Sequence, residues 1–402
     1  MKNPNKYDGN ELKYIKQVLE AESWSATEGS WTGNLEKEFA RKFSANHGIA
    51  FNSGTSTLHA ALEAVGVRAG DEVISPAFTV IMNTSSTLHA NAIPVYADVL
   101  EDRYTIDPED IERKITPRTK AISIVSIYGL PCEMDEIMHI SNKYGIPVIE
   151  DNAECFTSTY KGRPTGTIGH MASYSFENSK HMSCGEGGML ITNDENLAKL
   201  ARKVGGHGFK NLQADEGRVK LDLDGFQNPN FKRHDALGWN YRLSEFLSAI
   251  ALAQLENLDL IVERRVQSAD KFLKAIEGCS FLTPQYVPDY STNSYWAMGF
   301  VYDGLEQIGV TWEEFRKEYM RNGGDGIYGA WSVPYLEPLI AERAYVSRLP
   351  HIYEKTGYKA GLCPVAERIQ SKMMVFKTNY RDMDLAQAKA DVLKKTIEKF
   401  TK

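Results

Sequence analysis

The segment Ser175-Phe176-Glu177-Asn178-Ser179-Lys180-His181-Met182-Ser183-Cys184-Gly185-Glu186-Gly187-Gly188 decides how this chain is read. It joins two short apolar runs, 173–176 and 189–192, which predict two adjacent strands. The connection carries a lysine, small polar side chains and three glycines in place of ordinary hairpin chemistry. A lysine partly desolvated on such a turn has a lowered pKa and can form a Schiff base with an aldehyde cofactor. The glycines would let the backbone pass close to that cofactor. A solvated surface charge is the competing reading of the same lysine.

Upstream of this segment, helical and strand signals alternate. Leu35, Phe39 and Phe43 recur at helical spacing behind an Asn34 cap, and 48–51 reads as a strand. Further apolar runs follow at 73–74, 93–96, 121–125 and 147–149; Met134, Ile137, Met138 and Ser141 mark a helix between the last two. Short apolar strands separated by helices predict an α/β fold, with a mostly parallel central sheet covered by helices on both faces. Downstream, residues 209–235 are polar and weakly patterned, as in a functional or mobile loop. A long apolar-faced helix begins near Leu243 and carries the expected boundary near residue 265. The reading is a large domain over 1–265 and a smaller α+β domain over 266–402.

Two more features bear on chemistry. Ser53-Gly54-Thr55-Ser56 ends a strand and opens a helix marked by Leu58, Leu62 and Val65. A helix N-terminus of this kind either caps itself or presents N–H groups to an anion such as phosphate. Glu150-Asp151 ends the run 147–149, and ligands of open parallel sheets bind beyond the carboxyl ends of the strands. Asp151 there either caps a helix after the strand or holds a protonated heterocyclic nitrogen. By contrast, Gly324, Gly326 and Gly329 satisfy G-x-G-x-x-G without a preceding strand, so they read as a loop.

Composition narrows the class. The 402 residues hold 46 Lys plus Arg against 53 Asp plus Glu, a net charge of -7, which argues against a nucleic-acid partner. No apolar run approaches the ~20 residues of a membrane helix, and the polar MKNPNKYDGNELK lacks a signal-peptide core. The expectation is a cytoplasmic enzyme. Its cysteines, Cys132, Cys155, Cys184, Cys279 and Cys363, and its nine histidines are scattered, so no metal is expected.

Taken in order, NSGTSTLHAAL (52–62), AGDEVISPAFT (69–79), IYGLPCEMDEI (127–137), VIEDNAE (148–154), SFENSKHMSCGEGGMLITND (175–194) and GWNYRLSE (238–245) carry a resemblance across nearly the whole chain. The sequence resembles the sugar aminotransferases of the DegT/DnrJ/EryC1/StrS family, pyridoxal-phosphate enzymes of the aspartate aminotransferase fold type I. The resemblance implies that Lys180 is the Schiff-base lysine and that Asp151 pairs with the pyridinium nitrogen. It assigns Gly54, Thr55, Ser56 and Ser175 to the cofactor phosphate, and Glu154 to a position near the ring hydroxyl that is commonly Gln or His. Asn240 matches an asparagine that reaches the cofactor phosphate of a neighbouring subunit, implying a homodimer with shared active sites.

Some positions depart from the family pattern. Val80 stands where many members stack an aromatic residue on the ring, and Phe78 is out of register with that position. His181 adjoins the lysine, and in related sugar dehydratases a histidine replaces the lysine itself; the spacing to Gly185 keeps Lys180 in register. The implied reaction moves an amino group from L-glutamate or L-glutamine to a keto sugar, nucleotide-linked, in amino-sugar biosynthesis. The alternatives are transamination of a keto-cyclitol or other polyol ketone, a sugar dehydratase, or a non-catalytic regulator that binds pyridoxal phosphate. The acceptor site is expected from the segment carrying Trp331, Tyr335 and His351 together with the 209–235 loop, and Lys232, Arg233 and His234 either face a diphosphate or form a solvated basic cluster.

Overall fold

The computed structural model describes residues 4–21, 30–215 and 223–401. The strands in chain order are β1 (His47–Phe51), β2 (Glu72–Pro76), β3 (Ile93–Ala97), β4 (Thr119–Val125), β5 (Val148–Asp151), β6 (Thr159–Tyr160), β7 (Arg163–Pro164), β8 (Met171–Ser175), β9 (Gly188–Thr192), β10 (Leu282–Pro284), β11 (Ala297–Tyr302) and β12 (Met373–Lys377). Seven of them form one sheet in the order β1-β9-β8-β5-β4-β2-β3. β3, β2, β4, β5 and β8 pair in parallel, and β9 runs antiparallel to both β8 and β1. The helices connecting the parallel strands bury apolar faces on the sheet, as in Met134–Tyr144 with Met134, Ile137 and Ile140. This is the mostly parallel α/β sheet expected from the alternating signals.

Two local readings are corrected. The helix placed behind Asn34 is Trp31–Lys42, with Asn34 inside it and Ser30 at its N-cap. Its first-turn donors are met from afar: the Glu245 carboxylate accepts the N–H groups of Trp31 (2.8 Å) and Thr32 (2.9 Å). A cap supplied across 214 residues leaves no local motif to read. The long helix from Leu243 is two helices, Glu245–Glu256 and Leu258–Ala275, which meet at Asn257; the side chain of Ser244 caps the first. Of the 209–235 loop, residues 216–222 lie outside the described residues. Gly324, Gly326 and Gly329 follow the helix Trp312–Arg321 in a loop, as expected.

A second sheet, β10-β11-β12, is wholly antiparallel and packs with the helices Leu258–Ala275, Trp312–Arg321 and Met383–Thr401. Phe272, Phe300, Phe315 and Phe376 are buried there. Another apolar cluster joins Phe78, Tyr104 and Tyr128 beside the large sheet to Val333, Tyr335 and Val375. The two sheets thus share packed side chains along the edge where the candidate site opens. No described helix is long and apolar enough to cross a membrane.

Candidate active site

The candidate residues converge beyond the carboxyl ends of β5 and β8. β1 runs into the Ser53 cap of the helix Gly54–Ala64, and Ser53 Oγ accepts the Ser56 N–H (3.1 Å). Ser56 Oγ donates to Asn52 Oδ1 (2.7 Å). This turn lies hard against the β8–β9 connection. A Cβ on Gly54 would meet Ser175 Cβ at 2.8 Å, and one on Gly188 would meet the Ser53 carbonyl at 2.7 Å. Glycine is required at both positions by close approach, and the result is a cradle of first-turn N–H groups and hydroxyls. Gly54, Thr55, Ser56 and Ser175 are therefore brought together at one end of the sheet.

Asp151 ends β5 and is 4% exposed. Asn83 Nδ2 donates to its Oδ2 (2.8 Å) and the Ala153 N–H to its Oδ1 (3.1 Å). Asn83 is oriented in turn by Ser123 Oγ, which donates to its Oδ1 (2.7 Å). Burial pushes the Asp151 pKa up, opposed by the Asn83 and Ala153 bonds and by the charge of Lys180. A desolvated carboxylate with neutral donors on two sides is suited to a cationic partner, because an opposite charge offsets the burial penalty.

Lys180 Nζ lies 3.4 Å from Glu154 Oε1 and 4.5 Å from the centroid of the Trp296 ring. Glu154 is buried, which raises its pKa, while the charge of Lys180 acts the other way. Its Oε2 accepts the N–H of Tyr128 (3.0 Å). Tyr128 holds a left-handed backbone (φ 58°), an uncommon conformation for a bulky residue, and its amide is aimed at the carboxylate. His181 points elsewhere: it is buried against Phe156, its Nε2 bonds the Ser294 carbonyl (2.9 Å), and burial holds its pKa well down. The lysine, not the histidine, thus faces the two carboxylates.

Behind the lysine stands Arg265, 4% exposed. Its Nη2 donates to the carbonyls of Ser179 (3.1 Å) and Lys180 (3.2 Å). Its Nη1 donates to the Trp296 carbonyl (2.6 Å) and to Thr378 Oγ1 (3.2 Å). The guanidinium thereby ties the lysine loop to the ends of β11 and β12.

Of the expected acceptor residues, Trp331 stacks on Trp296 (5.7 Å, 21°), which is nearly parallel to Tyr128 (6.4 Å, 7°). This aromatic tier borders Lys180. Tyr335 is fully buried, bonded to Glu367 and the Cys363 N–H, and His351 is exposed on the short helix Pro350–Tyr353. Within the expected acceptor segment, Tyr335 is therefore a core residue, while Trp331 and His351 are exposed. Lys232 and His234 are exposed, and the segment pairs with 207–210. Asn240 is exposed, its segment held to the end of β1 by Asn52. Phe78 is buried edge-on to Tyr128, and Val80 is half-buried.

Sequence reading missed Asn83, Tyr128, Trp296 and Arg265. Tyr128 stands in the motif IYGLPCEMDEI but no role was read for it, no motif marks Asn83 or Trp296, and Arg265 sits in Val262-Glu263-Arg264-Arg265-Val266, which reads as a charged helix surface. The residues present fit pyridoxal phosphate: a buried carboxylate seeks a cation, a glycine-lined helix start offers donors for a phosphate, and a lysine amine lies near the carboxylate.

The profile of the DegT/DnrJ/EryC1/StrS aminotransferase family matches residues 5–328. The chain is 34% identical over 270 residues to GDP-perosamine synthase of Escherichia coli O157:H7, covering 67% of this chain and 69% of that protein. It is 36% identical to the L-glutamine:2-deoxy-scyllo-inosose aminotransferase of Micromonospora echinospora, covering 74% and 71%. The solved aminotransferase from Psychrobacter cryohalolentis superposes with a TM-score of 0.86 at 26% identity over the full length of both chains. The chain belongs to the DegT/DnrJ/EryC1/StrS family and is a pyridoxal-phosphate-dependent aminotransferase.

Proposed function

We propose that this enzyme moves an amino group from L-glutamate or L-glutamine to a nucleotide-linked keto sugar, yielding an amino sugar. The observation that carries the reading is the convergence of Lys180 Nζ, buried Asp151 and the Gly54–Ser175 cradle at one end of the sheet. The relatives named for GDP-perosamine favour a nucleotide-linked acceptor.

Bound pyridoxal phosphate supplies an aldehyde that takes up the amino group and a ring that accepts the electron pair released at the donor's α-carbon. The chain's own residues do the rest. Asp151 holds a proton on the ring nitrogen by a charge-assisted bond, with Asn83 fixing the carboxylate. Gly54, Thr55, Ser56 and Ser175 bind the phosphate, and the positive end of the helix Gly54–Ala64 contributes to that binding. Lys180 Nζ, freed from the cofactor, takes the α-proton and returns it as general base and acid. Glu154 lies 3.4 Å from that amine and places a negative charge beside it. Asn240 completes the phosphate site of a partner subunit in a two-fold dimer. The division into domains at about residue 265 lets the aromatic tier of Trp296 and Trp331 face the acceptor from the smaller side.

The second reading, a keto-cyclitol acceptor, is favoured by the Micromonospora echinospora relative. Both are tested together. Purified protein loaded with pyridoxal phosphate should lose its visible band on addition of L-glutamate or L-glutamine. Lys180→Ala should slow this half-reaction by about 10³-fold or more. Of 3-keto and 4-keto nucleotide sugars and keto-cyclitols, a nucleotide sugar should restore the band. Restoration by cyclitols alone would select the second reading, and a band inert to every amino donor would overturn both.

A further inference from the structure

On the far side of the lysine loop from Glu154, a cavity of about 470 Å³ is walled by Lys6, Asp8, His181, Arg264, Arg265 and Arg381, with Asn178 at its rim. Four cationic side chains thus face one carboxylate. His181 brings no charge, because burial and the neighbouring cations hold its pKa well below the usual histidine range. Burial, then the charges of Arg265 and Arg381, push Lys6 down to about 8. Burial, then the charge of Arg381, pushes Arg265 down to about 9. Like charges gathered in a partly desolvated space repel, and an anion entering among them lowers that penalty.

The cavity wall also carries unmet polar atoms. Arg265 is 4% exposed, and its four bonds to Ser179, Lys180, Trp296 and Thr378 all leave from Nη1 and Nη2. Among the described residues its Nε is buried without a hydrogen-bond partner, as is His181 Nδ1. An unpaired buried donor costs ~1–3 kcal/mol, so its persistence beside three other cations points to an acceptor that belongs there. Arg264 is half-buried and Lys6 Nζ donates to the Asn178 carbonyl, which leaves it further donors. Guanidinium forks match the oxygen geometry of phosphate and carboxylate groups.

We propose that this cavity is a second anion site, separate from the cofactor cradle, which binds a small dianion, a phosphate or a dicarboxylate, through Lys6, Arg264 and Arg265. Its occupant contacts the same guanidinium that fixes the carbonyls of Ser179 and Lys180, so it sits one residue behind the reactive lysine.

The test is calorimetric titration of the full-length protein saturated with pyridoxal phosphate, which fills the cradle at Ser56 beforehand. Inorganic phosphate is the titrant in one arm and succinate in the other, at constant ionic strength. Saturable binding of at least one is expected, weakened about tenfold or more by Lys6→Ala with Arg264→Ala and unchanged by Ser56→Ala. The tighter titrant identifies the source of the dianion. No saturable heat in either arm would overturn the proposal. So would binding that survives the double substitution, or binding lost with Ser56→Ala, which would put the ion in the cofactor cradle.

Discussion

Glu150 and Asp151 are neighbours on β5, both buried carboxylates, and their side chains leave opposite faces of the sheet. Glu150 accepts three backbone N–H groups, from Gly166 (2.7 Å), Ile168 (3.0 Å) and Gly169 (2.6 Å). Its charge is met entirely by its own chain, and it fastens the 166–169 turn to the sheet. Asp151 has one backbone N–H, one amide from Asn83 and a lysine charge nearby. Burial raises both pKa values, but only Asp151 faces the open end of the sheet with capacity for an incoming cation. The same chemical group is thus structural on one face and available for chemistry on the other. What separates them is the number of backbone donors already in place.

That contrast can be broken most directly by exchanging each carboxylate for its amide. Asp151→Asn should slow the half-reaction with the amino donor by about 10²-fold or more while the protein stays folded. Glu150→Gln should leave that rate within a few-fold and instead cost ~1–3 kcal/mol in urea unfolding, because charge-assisted bonds to three amides weaken. Equal damage to the rate from both would remove the distinction.

Arg265 extends the comparison to the other side of the lysine. Like Glu150 it is a buried charge met mostly by backbone groups, yet two of those groups belong to the loop that carries Lys180. Arg265→Lys retains the charge but not the fork that spans the Ser179, Lys180 and Trp296 carbonyls. It should lower kcat by about tenfold through misplacement of Lys180, with KM for the amino donor little changed. A fall in stability with kcat intact would reduce Arg265 to a structural role.

The smallest expected effect is on stability against pH. The folded pKa of Asp151 is raised above the ~3.9 of an unfolded aspartate. Its contribution is then fully present below about pH 4 and is lost as the pH rises through the folded value, at ~1.4 kcal/mol for each tenfold difference in proton affinity between the folded and unfolded chains. Cofactor-free wild type should therefore lose stability relative to Asp151→Asn as the pH climbs from about 4 toward neutrality. Parallel urea-unfolding profiles of the two proteins would show that folding does not raise the Asp151 pKa.

Much of the fold was legible because its signals are local. Strands β1 to β5, β8 and β9 coincide with apolar runs, and helices such as Met134–Tyr144 follow their periodicity. Failures came where a distant group replaced a local one: Glu245 caps Trp31–Lys42, so Asn34 misled. The candidate site residues were named from motifs in the same way. Gly54, Ser56, Asp151, Ser175 and Lys180 stand in ordered motifs, whereas the burial of Tyr335 inside the expected acceptor segment has no sequence signal.

By itself the sequence determined the family, the α/β sheet, the cofactor class and which lysine is in register, since each depends on residue types at fixed spacing along the chain. Only the tertiary structure decided which carboxylate has fewer backbone donors, that His181 turns away to Ser294, that Asn83 holds Asp151, and that Tyr128, Trp296 and Arg265 stand around the lysine. Those decisions rest on burial and on hydrogen bonds between residues far apart in sequence, and neither is fixed until the chain has packed.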